Sequence, residues 1–374
     1  HYPSPPIHDL HKHCKSLELA GNVLDINAIV EIKNAIQFLL LWDFHFEKLE
    51  NKPALLKESR AGIINLEQAK LLIDKVLNQH NEVFDNASER LSYIRKRQLE
   101  LKKVLDKEFK LALKKANANK QLAETQESHI YGRRVLSVVV EQKRKTEGAI
   151  LAYSRTGTIA YIEPSNTIAL NDEFEKLQNE ERAEIHKIIA KLCKELAPYT
   201  PDLLALSEFM VLQEILLSKY RLAKKMDGTH PILSRKGEFN LQQCYHPLLY
   251  LKNLEDGRHT TPNNIELSEE NRMLVISGPN AGGKSIAMKT AGLCCLMLMA
   301  GLFIPCKSES TVGVFTKIFT DIGDNQSIED ELSTYSHKLK AMSAILRYAD
   351  KICLVLVDEF GSGSDPKLGG AIAE

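Results

Sequence analysis

The sequence predicts an α+β multidomain protein in which a long helical region, containing a small antiparallel sheet, precedes an α/β domain. Three patterns favour this class: helical spacing of apolar residues through most of the first half, β-branched residues over 134–164, and alternating strand, loop and helix patterns from about Phe239. A chain of 374 residues, 44% of them hydrophobic, is long enough for two or three domains with their own cores. We expect these domains to cover residues 1–130, 131–235 and 236–374.

Two long helical patterns make up the first domain. One runs from Glu18 to Leu49, with breakers at Gly21-Asn22 and Asn51-Lys52-Pro53. The other runs from about Asn86 to Gln126 without Gly or Pro and predicts a long helical arm. Apolar and neutral residues of this arm follow an alternating three-four spacing that places them on one stripe: Leu91, Ile94, Gln98, Leu101, Leu105 and Ala112.

The helical arm is strongly basic although the whole chain is neutral. Lysine plus arginine and aspartate plus glutamate each number 49, which gives no overall sign of a polyanionic partner. Residues 90–120, however, contain eleven basic residues against three acidic ones, a local charge of +8. Such a run is either a solvated helix face or a surface that contacts phosphates. The candidate nucleic-acid contacts are Lys103, Lys107, Lys110, Lys114 and Lys115.

A small sheet and further helices are predicted for the second domain. The segment 134–164 has three β-type runs separated by turn residues, which indicates about three antiparallel strands. A basic cluster lies in the same region, at Arg133, Arg134 and 143–145. Helical patterns follow from Asp172 and end at Asp227-Gly228.

Cysteine usage and hydropathy indicate a cytoplasmic protein with no membrane partner. The seven cysteines form no C-x-x-C pair, which is typical of reduced, buried thiols. The longest uncharged stretch, Thr290 to Cys306, is slightly short for a membrane span and contains two glycines and a proline. A buried core helix is therefore expected there.

The strongest motif is a complete phosphate loop with the pattern G-x-x-x-x-G-K-S. An apolar run at 273–277 predicts a buried strand before the loop, and 286–299 predicts a helix after it. Lys284 is expected to reach the β- and γ-phosphates of ATP, and the Ser285 hydroxyl to bind Mg²⁺. The candidate nucleotide-binding residues here are Gly278, Pro279, Asn280, Ala281, Gly282, Gly283, Lys284, Ser285 and Ile286.

A second acidic motif supports a nucleotide site. Residues 352–357 are six consecutive apolar residues that predict a strand, and Asp358-Glu359 follow it directly. Asp358 is expected to hold Mg²⁺ through water and Glu359 to polarise the attacking water, which makes Glu359 and Lys284 the catalytic candidates. The alternative is a pair of surface carboxylates at a strand end.

Several motifs together resemble the MutS family. The phosphate loop with Pro-Asn after its first glycine carries the family resemblance, and the neighbouring segments resemble the type II branch of that family. These segments are Tyr153–Gly157, Tyr161–Pro164, Tyr245–Leu248, Asp321–Glu329, Leu332–His337 and Asp358–Pro366. Tyr245 stands where the family commonly has arginine. The resemblance covers most of the chain, from about Pro5 onward.

This resemblance implies an ABC-type ATPase head that works as a homodimer. On that pattern, Ser333 and Thr334 act in trans on the γ-phosphate, and Gln326 lies in the loop that couples the head to the helical part. The helical region would be a lever and clamp whose basic arm faces nucleic acid. Branched DNA and recombination intermediates, with suppression of recombination, are implied as targets, and so are ribosomal RNA and stalled ribosomes; both remain open.

Two further expectations follow from the resemblance. Any endonuclease activity would reside in a C-terminal Smr domain that these residues do not include. The alternative to an ATP-hydrolysing clamp is a nucleotide-gated dimerisation and interaction module with little turnover. Comparing phosphate release by the wild type and by Glu359→Gln would distinguish the two.

Overall fold

Long helices dominate the structure, which is a computed structural model. It describes residues 3–6, 8–19, 21–64, 66–279, 282–322 and 331–358, with backbone alone for 331–338. Over these residues the fold is α+β, with long helices and small sheets, as predicted. The chain divides into two compact units, 1–213 and 214–374. The three-domain division at 1–130, 131–235 and 236–374 remains a prediction.

The first unit begins with four helices around one apolar core. They are α1 (Leu10–Glu18), α2 (Ile26–Glu47), α3 (Ala54–Ala61) and α4 (Leu66–Val76). The core centres on Trp42 of α2, which stacks on Phe46 at 4.5 Å between ring centroids and meets Phe209 edge-on at 4.9 Å. The buried indole N–H donates to Gln213 Oε1 at 3.2 Å, so this large side chain is buried with its polar atom satisfied.

Three longer helices follow: α5 (Glu89–Ala118), α6 (Ser165–Leu196) and α7 (Thr200–Lys225). The predicted stripe on α5 is confirmed as its packing face, because Leu91, Ile94 and Leu101 are buried. Helices α5 and α6 pack antiparallel, since Arg97 of α5 pairs with Glu173 at 2.9 Å and Glu108 contacts Asn166. The arm is thus one half of a helix pair.

The predicted small sheet follows α5 and precedes α6 in the chain, and it has four strands. They are β1 (Leu122–Ile130), β2 (Arg133–Val139), β3 (Gly148–Tyr153) and β4 (Ile159–Pro164), in the antiparallel order β1-β2-β4-β3. Helix α5 ends earlier than the predicted Gln126, because Lys120 adopts a left-handed conformation (φ +53°) and the chain turns into β1. The sheet packs against α5 through Phe109 and Ala116.

Gly148→Ala is expected to destabilise the first unit by about 2 kcal/mol, within the range for overpacked sites. A Cβ at this position would lie 2.1 Å from the Glu163 carbonyl oxygen, a backbone atom of the neighbouring strand that cannot rotate away. Chemical denaturation measures the loss. Gly62→Ala is the control, since a Cβ there meets nothing within 4 Å. An equal, small change in both variants would contradict the predicted clash.

The described residues of the second unit form two sheets and three further helices. The strands are β5 (Ile232–Ser234), β6 (Phe239–Cys244), β7 (Asn263–Leu267), β8 (Thr311–Gly313), β9 (Lys317–Asp321) and β10 (Cys353–Val357). The helices are α8 (Pro247–Glu255), α9 (Lys284–Met299) and α10 (Glu331–Tyr348). One sheet has the order β5-β8-β6-β7, and β9 pairs in parallel with β10. An apolar core that includes Phe239, Ile304 and Leu356 joins these elements.

One predicted strand of the second unit is wrong. Residues 273–277 form no strand, and Met273 and Val275 are 82% and 78% exposed. Apolar composition predicts burial only where a neighbouring strand covers the segment, and β10 pairs with β9 alone among the described residues. The strand predicted before Asp358 and the helix predicted after the phosphate loop are both present, as β10 and α9.

The uncharged stretch from Thr290 to Cys306 is a core element, as predicted. It covers most of α9 and the segment after it, and Cys294, Cys295 and Ile304 are buried. Among the described residues, none of the helices combines the length and apolar character that crossing a bilayer requires.

Candidate functional site

The phosphate-loop motif leads directly into the N-terminus of α9. Gly283 precedes the helix in a left-handed conformation (φ +82°) that glycine adopts without steric cost. Gly282 N–H donates to the Pro279 carbonyl at 2.9 Å. The first turn of α9 carries Lys284, Ser285 and the exposed Ile286. A helix N-terminus presents backbone N–H groups and a positive partial charge, which favour phosphate.

Lys284 folds back across the loop that precedes it. Its ammonium group donates to the carbonyl oxygen of Gly278, the first glycine of the motif. The Lys284 side chain therefore contacts the first glycine of the motif. A cationic group at this position can neutralise the charge of an anion bound at the helix N-terminus.

Two predicted metal ligands from distant parts of the sequence lie in contact. The Ser285 hydroxyl donates to Asp358 Oδ2 at 2.8 Å, although the two residues are 73 positions apart. Asp358 follows β10, and Ser285 lies in the first turn of α9. Asp358, which directly follows the apolar strand β10, thus lies at the N-terminus of α9.

The pair Ser285 and Asp358 fits Mg²⁺ by the chemistry of its donor atoms. Mg²⁺ prefers oxygen ligands, commonly takes one or two carboxylates from the protein, and fills its remaining positions with water and substrate phosphates. One hydroxyl and one carboxylate beside an anion-binding helix end supply such a partial set. Their role as metal ligands remains a prediction, as does nucleotide binding by Gly278, Pro279, Gly282, Gly283 and Ile286.

Other predicted site residues lie wholly or partly outside the described residues. Asn280, Ala281, Gln326 and the catalytic candidate Glu359 are among those not described. Ser333 and Thr334 belong to the backbone of α10, whose first eight side chains are not described. The predicted roles of these six residues stay predictions.

Strand β9 positions Asp358 and was missed from sequence. The backbone N–H of Asp358 donates to the carbonyl oxygen of Asp321 at 2.8 Å, where β9 ends beside β10. The signal was the apolar pair Ile318-Phe319 between polar residues, which is weak because the strand has only five residues. The carboxyl ends of two parallel strands therefore meet beside the start of α9.

Several basic side chains of the arm form ion pairs with carboxylates of the same unit. Arg90, Arg95 and Arg97 on α5 pair with three glutamates of α6, namely Glu180, Glu181 and Glu173. Arg133 and Arg134 of the second basic cluster are also paired: Arg133 reaches Glu163, Asp172 and Glu175, and Arg134 reaches Asp106 and Glu127. These arginines therefore have carboxylate partners within the first unit, whereas the candidate phosphate contacts are the lysines of the arm.

The predicted lysines of α5 lie on its exposed side. Lys103, Lys107, Lys110 and Lys114, here called the lysine stripe, fall within an arc of about 60° at 100° per residue and cover about 16 Å of helix. Residues of the buried packing face, such as Leu101 and Phe109, lie on the other side of the helix. Lys110 pairs with Asp106 at 2.7 Å, but Lys103, Lys107 and Lys114 have no ion pair among the described residues.

Lys115 differs from the lysine stripe. It lies about 100° around the helix from Lys114 and pairs with Glu147 at 3.0 Å. Both partners are exposed, and exposed ion pairs contribute little energy, so this lysine can exchange its partner for a phosphate. The same holds for Lys110 within the stripe.

Known proteins are similar to this chain in the phosphate-loop region and over the rest of its length. Residues 274–374 match the family description "MutS domain V". "Endonuclease MutS2" of Geobacillus sp. (strain WCH70) is 32% identical over 380 residues, covering 100% of this chain and 47% of that protein. "Endonuclease MutS2" of Ligilactobacillus salivarius (strain UCC118) is 35% identical over 96% of this chain and 44% of its own length. This chain spans about half the length of the curated relatives it matches. Because this similarity runs through both compact units, the chain belongs to the MutS family, in its type II branch.

Proposed function

We propose that this chain is the lever and ABC-type ATPase part of a MutS-like clamp that binds structured nucleic acid and hydrolyses ATP with Mg²⁺. The observation that carries the ATPase assignment is the contact between Ser285 and Asp358. Two motifs that are distant in sequence meet at one helix N-terminus, and each is of the type that phosphoryl-transfer sites require. Family membership supports the same assignment.

Each group of residues in the proposed site would have a separate role in phosphoryl transfer. The backbone N–H groups at the start of α9 and the Lys284 ammonium would hold the β- and γ-phosphates and offset their charge. Ser285 and Asp358 would hold Mg²⁺, which neutralises charge on the phosphate oxygens when bound. Glu359 would orient the attacking water. Such a site works by positioning and electrostatic stabilisation.

Ser285→Ala is expected to raise about tenfold the Mg²⁺ concentration needed for half-maximal ATP hydrolysis, a loss of about 1.4 kcal/mol. The change removes one oxygen donor and leaves the loop backbone intact. Titrating Mg²⁺ at fixed ATP measures the effect. Ser285→Thr keeps the hydroxyl and is the control, expected to lie within about threefold of the wild type. Equal Mg²⁺ requirements for Ser285→Ala and the wild type would contradict the assignment.

A second copy of the chain would complete the ATP site. By family pattern, Ser333 and Thr334 of one subunit contact the γ-phosphate held by the other, and Gln326 couples the head to the lever. Sedimentation velocity with and without ATP tests this arrangement. An ATP-dependent shift from monomer to dimer would support it, and a monomer at saturating ATP would contradict it.

The lysine stripe is the proposed nucleic-acid surface. Its four ammonium groups point away from the packed face of α5, and rows of lysines contact phosphates without reading sequence. Filter binding of branched DNA and of ribosomes across a salt series compares the two proposed targets. Binding to neither at low salt would contradict the clamp assignment.

A further inference from the structure

Cysteines are concentrated in the apolar core of the second unit. Four of the seven lie there: Cys244, Cys294, Cys295 and Cys306. Two of these touch, since the Sγ atoms of Cys244 and Cys294 are 3.4 Å apart and both residues are fully buried. Neither residue has a part in the proposed ATP site.

The two cysteines lie on different elements, the helix α9 that follows the phosphate loop and the strand β6. Cys294 lies in α9, ten residues after Lys284, which is about 15 Å along the helix. Cys244 is the last residue of β6. The pairing of β6 with β7 is irregular between Leu241 and Cys244, and Gln243 is left-handed (φ +46°). The backbone therefore departs from a regular ladder just before Cys244, which pairs with Asn263.

We propose that Cys244 and Cys294 form an oxidation site that closes to an intramolecular disulfide when the protein meets a hydroperoxide. A disulfide has an S–S distance of about 2.05 Å, so the sulfurs must approach by a little over 1 Å from their present separation. A shift of this size is compatible with the irregular end of β6.

The chemistry balances with hydrogen peroxide as the oxidant. One thiolate attacks a peroxide oxygen, the O–O bond breaks, and hydroxide leaves and takes up a proton to form water; the product is a sulfenic acid. The second thiol then attacks the sulfenic sulfur, the S–O bond breaks, and a second water leaves. Two thiols and one peroxide give one disulfide and two waters.

The contact between the two sulfur atoms, and not their exposure to solvent, determines which cysteines of the cluster form the disulfide. The contact with Cys244 and burial raise the pKa of the Cys294 thiol, so its oxidation is slower than that of an exposed thiol. Burial likewise raises the pKa of Cys295 to about 11, but among the described residues Cys295 has no sulfur partner of the kind that Cys244 gives Cys294. Once either member of the touching pair is oxidised, the other lies against it.

The disulfide would slow ATP hydrolysis, and this step rests on the proposed function. Closing the S–S bond draws β6 and the middle of α9 together, and the part of this shift that α9 takes displaces Lys284 and Ser285 at its N-terminus. Displacements of about 1 Å in a catalytic arrangement cost up to about 10²-fold in rate. We expect a loss of about tenfold that a thiol reductant reverses.

Peptide mapping of the wild-type protein tests the proposal without any substitution. The protein is treated with graded hydrogen peroxide, denatured in an alkylating reagent, digested and analysed by mass spectrometry. The half-buried Cys353 reports the dose. A Cys244–Cys294 linked peptide that a reductant removes is the expected product. The proposal is overturned if Cys353 is fully oxidised and this link is absent, or if the links formed involve Cys295 or Cys306.

Matched variants separate the disulfide from its consequence. Cys294→Ala is expected to keep its ATPase rate under peroxide, whereas Cys295→Ala, one residue away, should lose activity as the wild type does. A disulfide that leaves the wild-type rate unchanged would overturn the regulatory step. Absence of ATP hydrolysis in the fully reduced protein would instead contradict the proposed function and leave the mapping result standing.

Discussion

Lys284→Ala is expected to lower the rate of ATP hydrolysis by about 10²–10³-fold, the usual cost of removing one group that stabilises developing charge. The side chain lies over the phosphate loop, where its ammonium group donates to the Gly278 carbonyl. The first turn of α9 carries no second lysine that could replace its charge at the phosphates. Steady-state phosphate release at saturating Mg²⁺ and ATP measures the effect.

Lys289→Ala is the matched control for this variant. Lys289 lies one turn further along α9 and is exposed, so its loss should leave the rate within about twofold of the wild type, as for most surface substitutions. Wild-type protein that releases no more phosphate than Lys284→Ala or Glu359→Gln would contradict ATPase function. If ATP still bound, that result would favour the nucleotide-gated interaction module.

Neutralising the lysine stripe is expected to weaken nucleic-acid binding by about 10²-fold or more at 0.1 M salt. Each lysine that neutralises a phosphate contributes about 0.9 to the slope of log K against log salt, so four lysines contribute up to about 3.6. The variant replaces Lys103, Lys107, Lys110 and Lys114 with glutamine. Affinity for a duplex or branched DNA, or for ribosomes, is measured at several salt concentrations, and the slope should become shallower.

Four exposed lysines of α6 provide a control with the same change in charge. They are Lys176, Lys187, Lys191 and Lys194. Their replacement by glutamine removes four positive charges from the same unit without touching α5. Equal losses in both quadruple variants would show that only total charge matters and would contradict the assignment of the stripe.

Local patterns predicted those parts of the fold that depend on a single segment. The packing stripe of α5 is correct because Leu91, Ile94 and Leu101 repeat at helical spacing and one apolar face suffices to bury them. Strand β10 and helix α9 are correct for a similar reason. The strand predicted at 273–277 is wrong because burial of an apolar run depends on neighbours that the run itself does not specify.

Side-chain partners from distant segments were beyond the reach of sequence patterns. The local charge of +8 on the arm suggested free cations, but Arg90, Arg95 and Arg97 are paired with glutamates about 76–90 positions later. The contact between Ser285 and Asp358 was predictable in kind, because phosphate-loop and strand-end motifs have known roles in nucleotide sites. The hydrogen bond from Asp358 to the end of β9 was not predictable, because a strand of only five residues leaves a weak pattern in the sequence.

Calorimetric titration of ATP into the protein tests whether the phosphate loop and Asp358 form one Mg²⁺–ATP site. With Mg²⁺ present, we predict that one ATP binds per chain. Asp358→Asn keeps the shape of the side chain but lacks its charge, and should lose at least about tenfold in affinity when Mg²⁺ is present while changing little without it. No ATP binding by the wild type at millimolar concentration, or the same Mg²⁺ dependence in Asp358→Asn, would contradict a shared Mg²⁺–ATP site.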